Sequence, residues 1–240
     1  MSNMMLQQDV TFSDDSFDFN PDQLAEVSNR GGSQTPQRGE DVTPVPGYYS
    51  VKVIAGGVKT DRDSGELIRD KQDRPVFSIQ RIAVIEPAEM AGSVPIFQDI
   101  YTNGFQPKNW KTGETLPGPK TFPFMQALAS IDDTLPTTDF NTNCHELANQ
   151  LGAKPIMTVR LGYHATDVDY AKAQINAGVE KKVAYKAAEL KPGAFRNPDG
   201  TWRTETMGPS GNLVKAKVRI TEWVRSSDTT KTLGPLTPRG

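Results

Sequence analysis

From residue 48 hydrophobic and polar positions alternate: Tyr49, Val51 and Val53 share one parity, and Tyr48, Ser50 and Lys52 the other. That period of two predicts a half-buried strand over Tyr48–Ile54, stopped or bulged at Gly56-Gly57. A stretch of five bases and five acids, 58–74, with the turn signal Asp63-Ser64-Gly65, separates it from a second predicted strand, Val76–Ile85. Glu86-Pro87 ends that strand, and a third is predicted from about Val94 to Thr102. The period then changes. Phe124, Met125, Leu128 and Ile131 fall at helical spacing behind Pro123. Cys144, Leu147, Ala148 and Leu151 form one apolar helical face, with Asn143 predicted as its N-cap, Glu146 three residues on and Gly152 as its stop. Strand patterning returns at 156–163, with Met157, Val159, Leu161 and Tyr163 on one face. Val179, Lys181, Val183 and Tyr185 suggest a fifth strand. Asn197-Pro198-Asp199-Gly200 is a turn between Phe195 and Trp202. The final strand, Leu213–Val224, sets Val214, Ala216, Val218, Ile220 and Val224 against Lys215, Lys217, Arg219, Thr221 and Trp223.

These elements predict a mainly β fold: an OB-like barrel, three strands then a helical insertion then returning strands, with a β-sandwich as the alternative. Residues 1–45 lack apolar periodicity and are rich in Ser, Asn, Gln, Asp, Gly and Pro. They are predicted to be a disordered acidic tail, residues 46–225 the folded domain, and residues 226–240 a flexible tail.

Charge sharpens this division. The net charge of the 240 residues is −2, but residues 1–42 carry eight acids and two bases, whereas residues 181–225 carry ten bases and four acids. An acidic tail beside a basic late region suggests an anion-binding surface. One cysteine and two histidines supply neither a disulfide framework nor a Cys- or His-built metal centre, and no cofactor is implied. No aliphatic run is long enough to span a membrane, and residues 1–10 have no signal-peptide character. The expectation is a soluble, cytoplasmic protein.

Basic and aromatic residues interleave at Lys108, Trp110 and Lys111; at Lys181, Lys182, Tyr185 and Lys186; and at Arg196, Trp202 and Arg203 around the Asn-Pro-Asp-Gly turn. Lys215, Lys217, Arg219, Trp223 and Arg225 add a face of the last strand. Holding a single nucleic-acid strand takes cations for the phosphates and flat rings for the bases. The plainer reading is that strand aromatics are core and alternating lysines keep an edge soluble. In Asp14, Asp15, Phe17, Asp18 and Phe19, two rings stand among carboxylates. They suit docking in a basic-rimmed apolar pocket of a partner, a return onto the chain's own basic groove, or merely solubilisation.

Catalytic chemistry is poorly supplied. Cys144 shares the apolar helix face, so Cys144-His145-Glu146 reads as structural. Asp132-Asp133 reads as a helix end, and Asp167 and Asp169 as loop residues short of a metal ligand set. His164 lacks a matching partner. The expectation is a non-enzyme, a metal-dependent nuclease using Asp167 and Asp169 being the weakest alternative.

The block Pro46-Gly47-Tyr48-Tyr49-Ser50-Val51-Lys52-Val53, the strand Val76–Ile85 and the phrase Ala91-Gly92-Ser93-Val94-Pro95-Ile96-Phe97 resemble a pattern in small bacteriophage OB-fold proteins of the single-stranded-DNA-binding type. The resemblance spans about residues 46–151. It implies that fold and a role in DNA replication or recombination, with replication or recombination proteins as possible partners of the acidic tail. It carries over no binding residue. It departs from the bacterial pattern in that the acidic segment is N-terminal. The alternative function is a non-enzymatic virion or adaptor scaffold.

Overall fold

The computed structural model describes residues 41–61, 63–104, 112, 114–115 and 122–236. Three long strands come first: β1 (Gly47–Val58), β2 (Val76–Glu86) and β3 (Gly92–Tyr101). Two helices follow, α1 (Pro123–Ile131) and α2 (Phe140–Gly152), and the chain returns as β4 (Ile156–Thr166). An insertion then carries α3 (Val168–Asn176), α4 (Lys181–Ala187), the short β5 (Glu189–Leu190) and the hairpin β6 (Glu205–Met207) and β7 (Leu213–Lys215). The last strands are β8 (Lys217–Trp223) and β9 (Gly234–Pro235).

The long strands form one antiparallel sheet in the order β3-β2-β1-β4-β8, with β5 on the end of β4 and β9 on the start of β1. The fold is thus mainly β with helices between the third and fourth strands. Tyr49, Val51, Val53, Phe77, Ile79, Ile82, Met157, Val159, Leu161 and Tyr163 are buried on its inner side, as their parity requires. The Gly56-Gly57 signal corresponds to a bulge, since the β1–β2 register slips between Val53 and Gly56. α1 touches β3, β4 and β8 and buries Phe124, Met125 and Leu128 against them. Phe124 meets Phe122 and Phe140 edge-on at 6.0 and 5.4 Å, which ties α2 to the same core.

Successive antiparallel pairings make β3 and β8 run in the same direction, and the curl of the sheet brings them side by side. Among the described residues no ladder joins them. Residues 41–45, which the sequence assigns to the tail, lie along this seam. Asp41 bridges to Ser93, Val42 N–H donates to the Ser93 carbonyl at 2.8 Å, and Tyr49 Oη donates to the Val45 carbonyl at 2.6 Å. At the other end residues 226–236 are also held. Ser226 N–H donates to the Ala129 carbonyl at 2.9 Å, and Gly234 and Pro235 pair with Tyr48 and Gly47.

Four sequence expectations are corrected. Residues 179–185 are no strand, because Lys181–Ala187 is helix α4, which buries only Ala184 while Val183 and Tyr185 point outward. Helix α2 starts at Phe140, not after Asn143: the Asp139 carboxylate accepts from Thr142 N–H at 2.6 Å. Asn143 lies buried inside the helix, where its side-chain amide brackets the Thr137 backbone at 2.8 and 2.9 Å. Asp167 is the N-cap of α3, so the Asp167–Asp169 region is a helix start. The final strand is broken at Ala216, with β7 pairing β6 and β8 pairing β4.

Candidate nucleic-acid interface

The β3–β8 seam opens into a groove of about 440 Å³, walled by Val42, Thr43, Val94–Phe97, His164 and Ala216–Val218. Its form follows from a bulge. Ile79 pairs with Gln98 and Arg81 with Pro95, so Ile96 and Phe97 together oppose Gln80. Ile96 takes the inner side and is buried. Phe97 adopts φ +45° and projects its ring outward, 78% exposed. A bulky L-residue in that left-handed region costs roughly 1–2 kcal/mol. The fold thus holds an aromatic ring in solvent, in a strained conformation, at the mouth of an apolar groove.

One cation, Lys217, lines the opposite wall, and Arg219 follows it on the same strand. Lys217 pairs across the sheet with His164, and Arg219 with Gly162. Among the described residues neither Lys217 nor Arg219 has an acidic partner at ion-pair distance. Burial first, then the charges of Arg219 and Lys217, push the His164 imidazole below its usual pKa, with Glu189 opposing. His164 is therefore a neutral hydrogen-bonding group at neutral pH. The site can offer stacking, hydrogen bonding and the positive charge of Lys217, with that of Arg219 nearby on β8, neither of them ion-paired among the described residues.

The residues singled out by sequence are distributed more widely than this groove. Lys217 lines it and Arg219 follows on the same strand. Trp223 and Arg225 line a second cleft of about 380 Å³ farther along β8, closed by Pro123, Gln126 and Ala129 of α1. Lys181, Lys182, Tyr185 and Lys186 are exposed on α4, and none of them lines the groove. Lys215 lies 3.5 Å from Glu205 across the β6–β7 hairpin. Trp202 packs edge-on against Tyr163 at 5.8 Å, and the Arg196 guanidinium lies 4.9 Å from its ring centroid. Arg203 donates to the Ala194 carbonyl at 2.8 Å and to Thr206 Oγ1 at 2.9 Å, binding two parts of the insertion together. Lys108, Trp110 and Lys111 lie outside the described residues, as do Asp14, Asp15, Phe17, Asp18 and Phe19.

Two groove residues escaped the sequence reading. Phe97 shares parity with the outward Asp99 and Tyr101 rather than with Val94, Ile96 and Ile100, and that signal is present in the sequence. His164 acquires its meaning only through Lys217, 53 residues away and opposite it in the sheet.

The acidic pair of the insertion is structural. Asp167 Oδ1 accepts from Tyr170 N–H at 3.0 Å, and Oδ2 accepts from Ser210 N–H and Oγ at 2.8 and 2.7 Å. Asp169 accepts from Asn212 Nδ2 at 2.9 Å. Burial raises the Asp167 pKa, but the donors of Tyr170, Ser210 and Asp169 outweigh it and hold the carboxyl below its ordinary range. A Cβ at Gly208 would approach Oδ2 to 2.2 Å, so the hairpin turn fits around this carboxylate only as glycine. Among the described residues no three His, Cys, Asp or Glu side chains cluster as a metal site. The Cys144 thiol is buried on α2, and burial pushes its pKa up. No described helix is long and apolar enough to cross a membrane. The chain matches no family model, no curated protein and no solved structure.

Proposed function

We propose that the protein binds single-stranded DNA without sequence selection along the β3–β8 seam, protecting single strands during replication or recombination. The observation that carries this reading is Phe97, an exposed ring held in a left-handed bulge on the groove that Lys217 also lines, with Arg219 two positions further along β8 and neither cation ion-paired among the described residues. A ring accepts any base by stacking, and the cations track the phosphates. We further propose that the sheet is an OB-type barrel with an open seam. Its support is the strand order β3-β2-β1-β4-β8, the parallel sense of the two edges, and a helix between strands three and four that touches both edges and β4. Anisotropy of a labelled (dT)30 oligonucleotide titrated at several salt concentrations tests the function. Binding that weakens steeply with salt is expected, and no binding at low salt would end the proposal.

A second reading, an adaptor that binds a protein partner, is favoured by one observation. Met207 and Leu213 form a cross-strand pair near the tip of the β6–β7 hairpin and are 60% and 65% exposed. Such a pair suits an apolar protein contact. Under this reading Met207→Ser with Leu213→Ser abolishes partner capture and leaves (dT)30 affinity unchanged.

A further inference from the structure

We propose that the cleft between α1 and β8 binds a nucleotide unit, with the base against the Trp223 ring, the base edge on the Gln126 amide and the phosphate on Arg225. The site is separate from the β3–β8 groove and does not depend on that groove holding a strand.

A bulge builds it. Ile220 pairs with Leu161 and Glu222 with Arg160, which leaves Thr221 as an extra residue in β8. Past Thr221 the alternation is inverted. Lys217 and Arg219 flank the buried Val218 and face outward, whereas Trp223 pairs with Val159, which is buried on the inner side. The indole is thereby turned away from the cationic stripe toward α1, where it is half-buried and forms one wall of the cleft. Pro123, Gln126 and Ala129, three residues apart on α1, form the other. Gln126 is the only polar side chain of that helix before Ser130.

Three polar groups meet in this space with nothing to bond. Among the described residues the Gln126 amide, the Trp223 indole N–H and the Arg225 guanidinium have no hydrogen-bond or ion-pair partner. The one acid of the lining, Glu222, is already compensated. Tyr48 Oη donates to it at 2.9 Å, and Lys231 and Arg160 lie 3.5 and 3.8 Å away. Arg225 therefore leaves the cleft positive in balance. Its volume of about 380 Å³ is that of a small-ligand site. A flat ring accepts the face of any base, and a planar guanidinium takes phosphate oxygens in pairs. A side-chain amide offers donor and acceptor side by side, as the N6 and N7 edge of adenine requires. A purely apolar occupant would leave both the amide and the guanidinium unpaired.

Nuclear magnetic resonance of the ¹⁵N-labelled full chain tests this. Its three tryptophans each give one indole N–H signal, and Trp223→Phe identifies that of Trp223. The expected result is a saturable shift of this signal with dAMP. Ribose phosphate, which lacks the base, and deoxyadenosine, which lacks the phosphate, should each bind about tenfold more weakly. Arg225→Gln should weaken dAMP by about tenfold, with the other two indole signals in place as the check that the fold is intact. No shift with millimolar dAMP, equal shifts with inorganic phosphate, or full dAMP affinity in Arg225→Gln would overturn the proposal. Tighter binding of N-acetyltryptophan, an aromatic carboxylate, would assign the cleft to a peptide end and also overturn it. Adding (dA)30 distinguishes the two sources of a nucleotide unit. A Trp223 shift that Arg225→Gln removes means that the cleft holds a unit of a bound strand. Binding of dAMP with no shift from (dA)30 means that it holds a free nucleotide.

Discussion

At the scale of single residues, Phe97 separates stability from function. Its φ of +45° is one that glycine adopts freely, and its largely exposed ring adds little to the core. Phe97→Gly should therefore raise stability by up to about 1 kcal/mol, read as a higher urea midpoint. The same substitution removes a stacking platform worth about 1–3 kcal/mol per base, roughly a 5- to 150-fold loss of (dT)30 affinity. Phe97→Ala should lose the affinity without the stability gain. Equal affinity in all three proteins would show that the ring contacts no base. His164 gives a second prediction. Burial first, and then Arg219 and Lys217 from β8, disfavour its protonation, and Glu189 from β5 opposes them. A phosphate beside it offsets the charges of Lys217 and Arg219 and raises the imidazole pKa, so binding takes up a proton. Affinity should rise as pH falls from 7.5 to 5.5, and His164→Gln should flatten the profile. In the free protein the same depressed pKa makes folding slightly less favourable once pH falls below the usual histidine value of about 6.5. NMR titration of the His164 ring with and without (dT)30 measures both effects.

At the scale of elements, one carboxylate ties the start of the insertion after β4 to its hairpin turn. Asp167 caps α3 and accepts two hydrogen bonds from Ser210 in the β6–β7 turn. Losing a cap costs about 1 kcal/mol and losing charge-assisted bonds somewhat more, so Asp167→Ala should destabilise the protein by about 2–3 kcal/mol. Its depressed pKa fixes the sign with pH. The stabilisation is fully present above the unfolded carboxyl pKa near 3.9 and is lost as pH falls through the lower folded value. Hydrogen exchange should show the amides of residues 208–212 losing protection below about pH 4, and Asp167→Ala should abolish that pH dependence. This insertion is also where sequence reading failed, for a physical reason. β1 to β4 bury large alternating side chains, and α1 buries Phe124 and Leu128, so their periods are written in large letters. α3 and α4 instead bury only Ala171 and Ala184 and leave Val183 and Tyr185 outward. In a seven-residue helix that inversion mimics the alternation of a strand.

At the scale of the whole molecule, the groove was illegible because it belongs to no segment. Phe97 and Lys217 are 120 positions apart, and only the order β3-β2-β1-β4-β8, with β3 and β8 lying side by side, brings them together. Sequence reading found the cationic face of β8 as a stripe and had no means of choosing which part of it faces an aromatic ring. The choice has a measurable consequence. For a single strand, the slope of log affinity against log salt is about −0.7 per phosphate neutralised. If Lys217 and Arg219 each neutralise one phosphate, Lys217→Gln with Arg219→Gln should make the slope shallower by about 1.4. Lys181→Gln with Lys182→Gln on α4, which removes the same formal charge away from the groove, should leave it nearly unchanged. Salt-titrated anisotropy with (dT)30 compares the two pairs at equal net charge. A slope that falls equally for both would mean that the strand reads the overall basic character of the late region, and the seam would lose its claim to be the site.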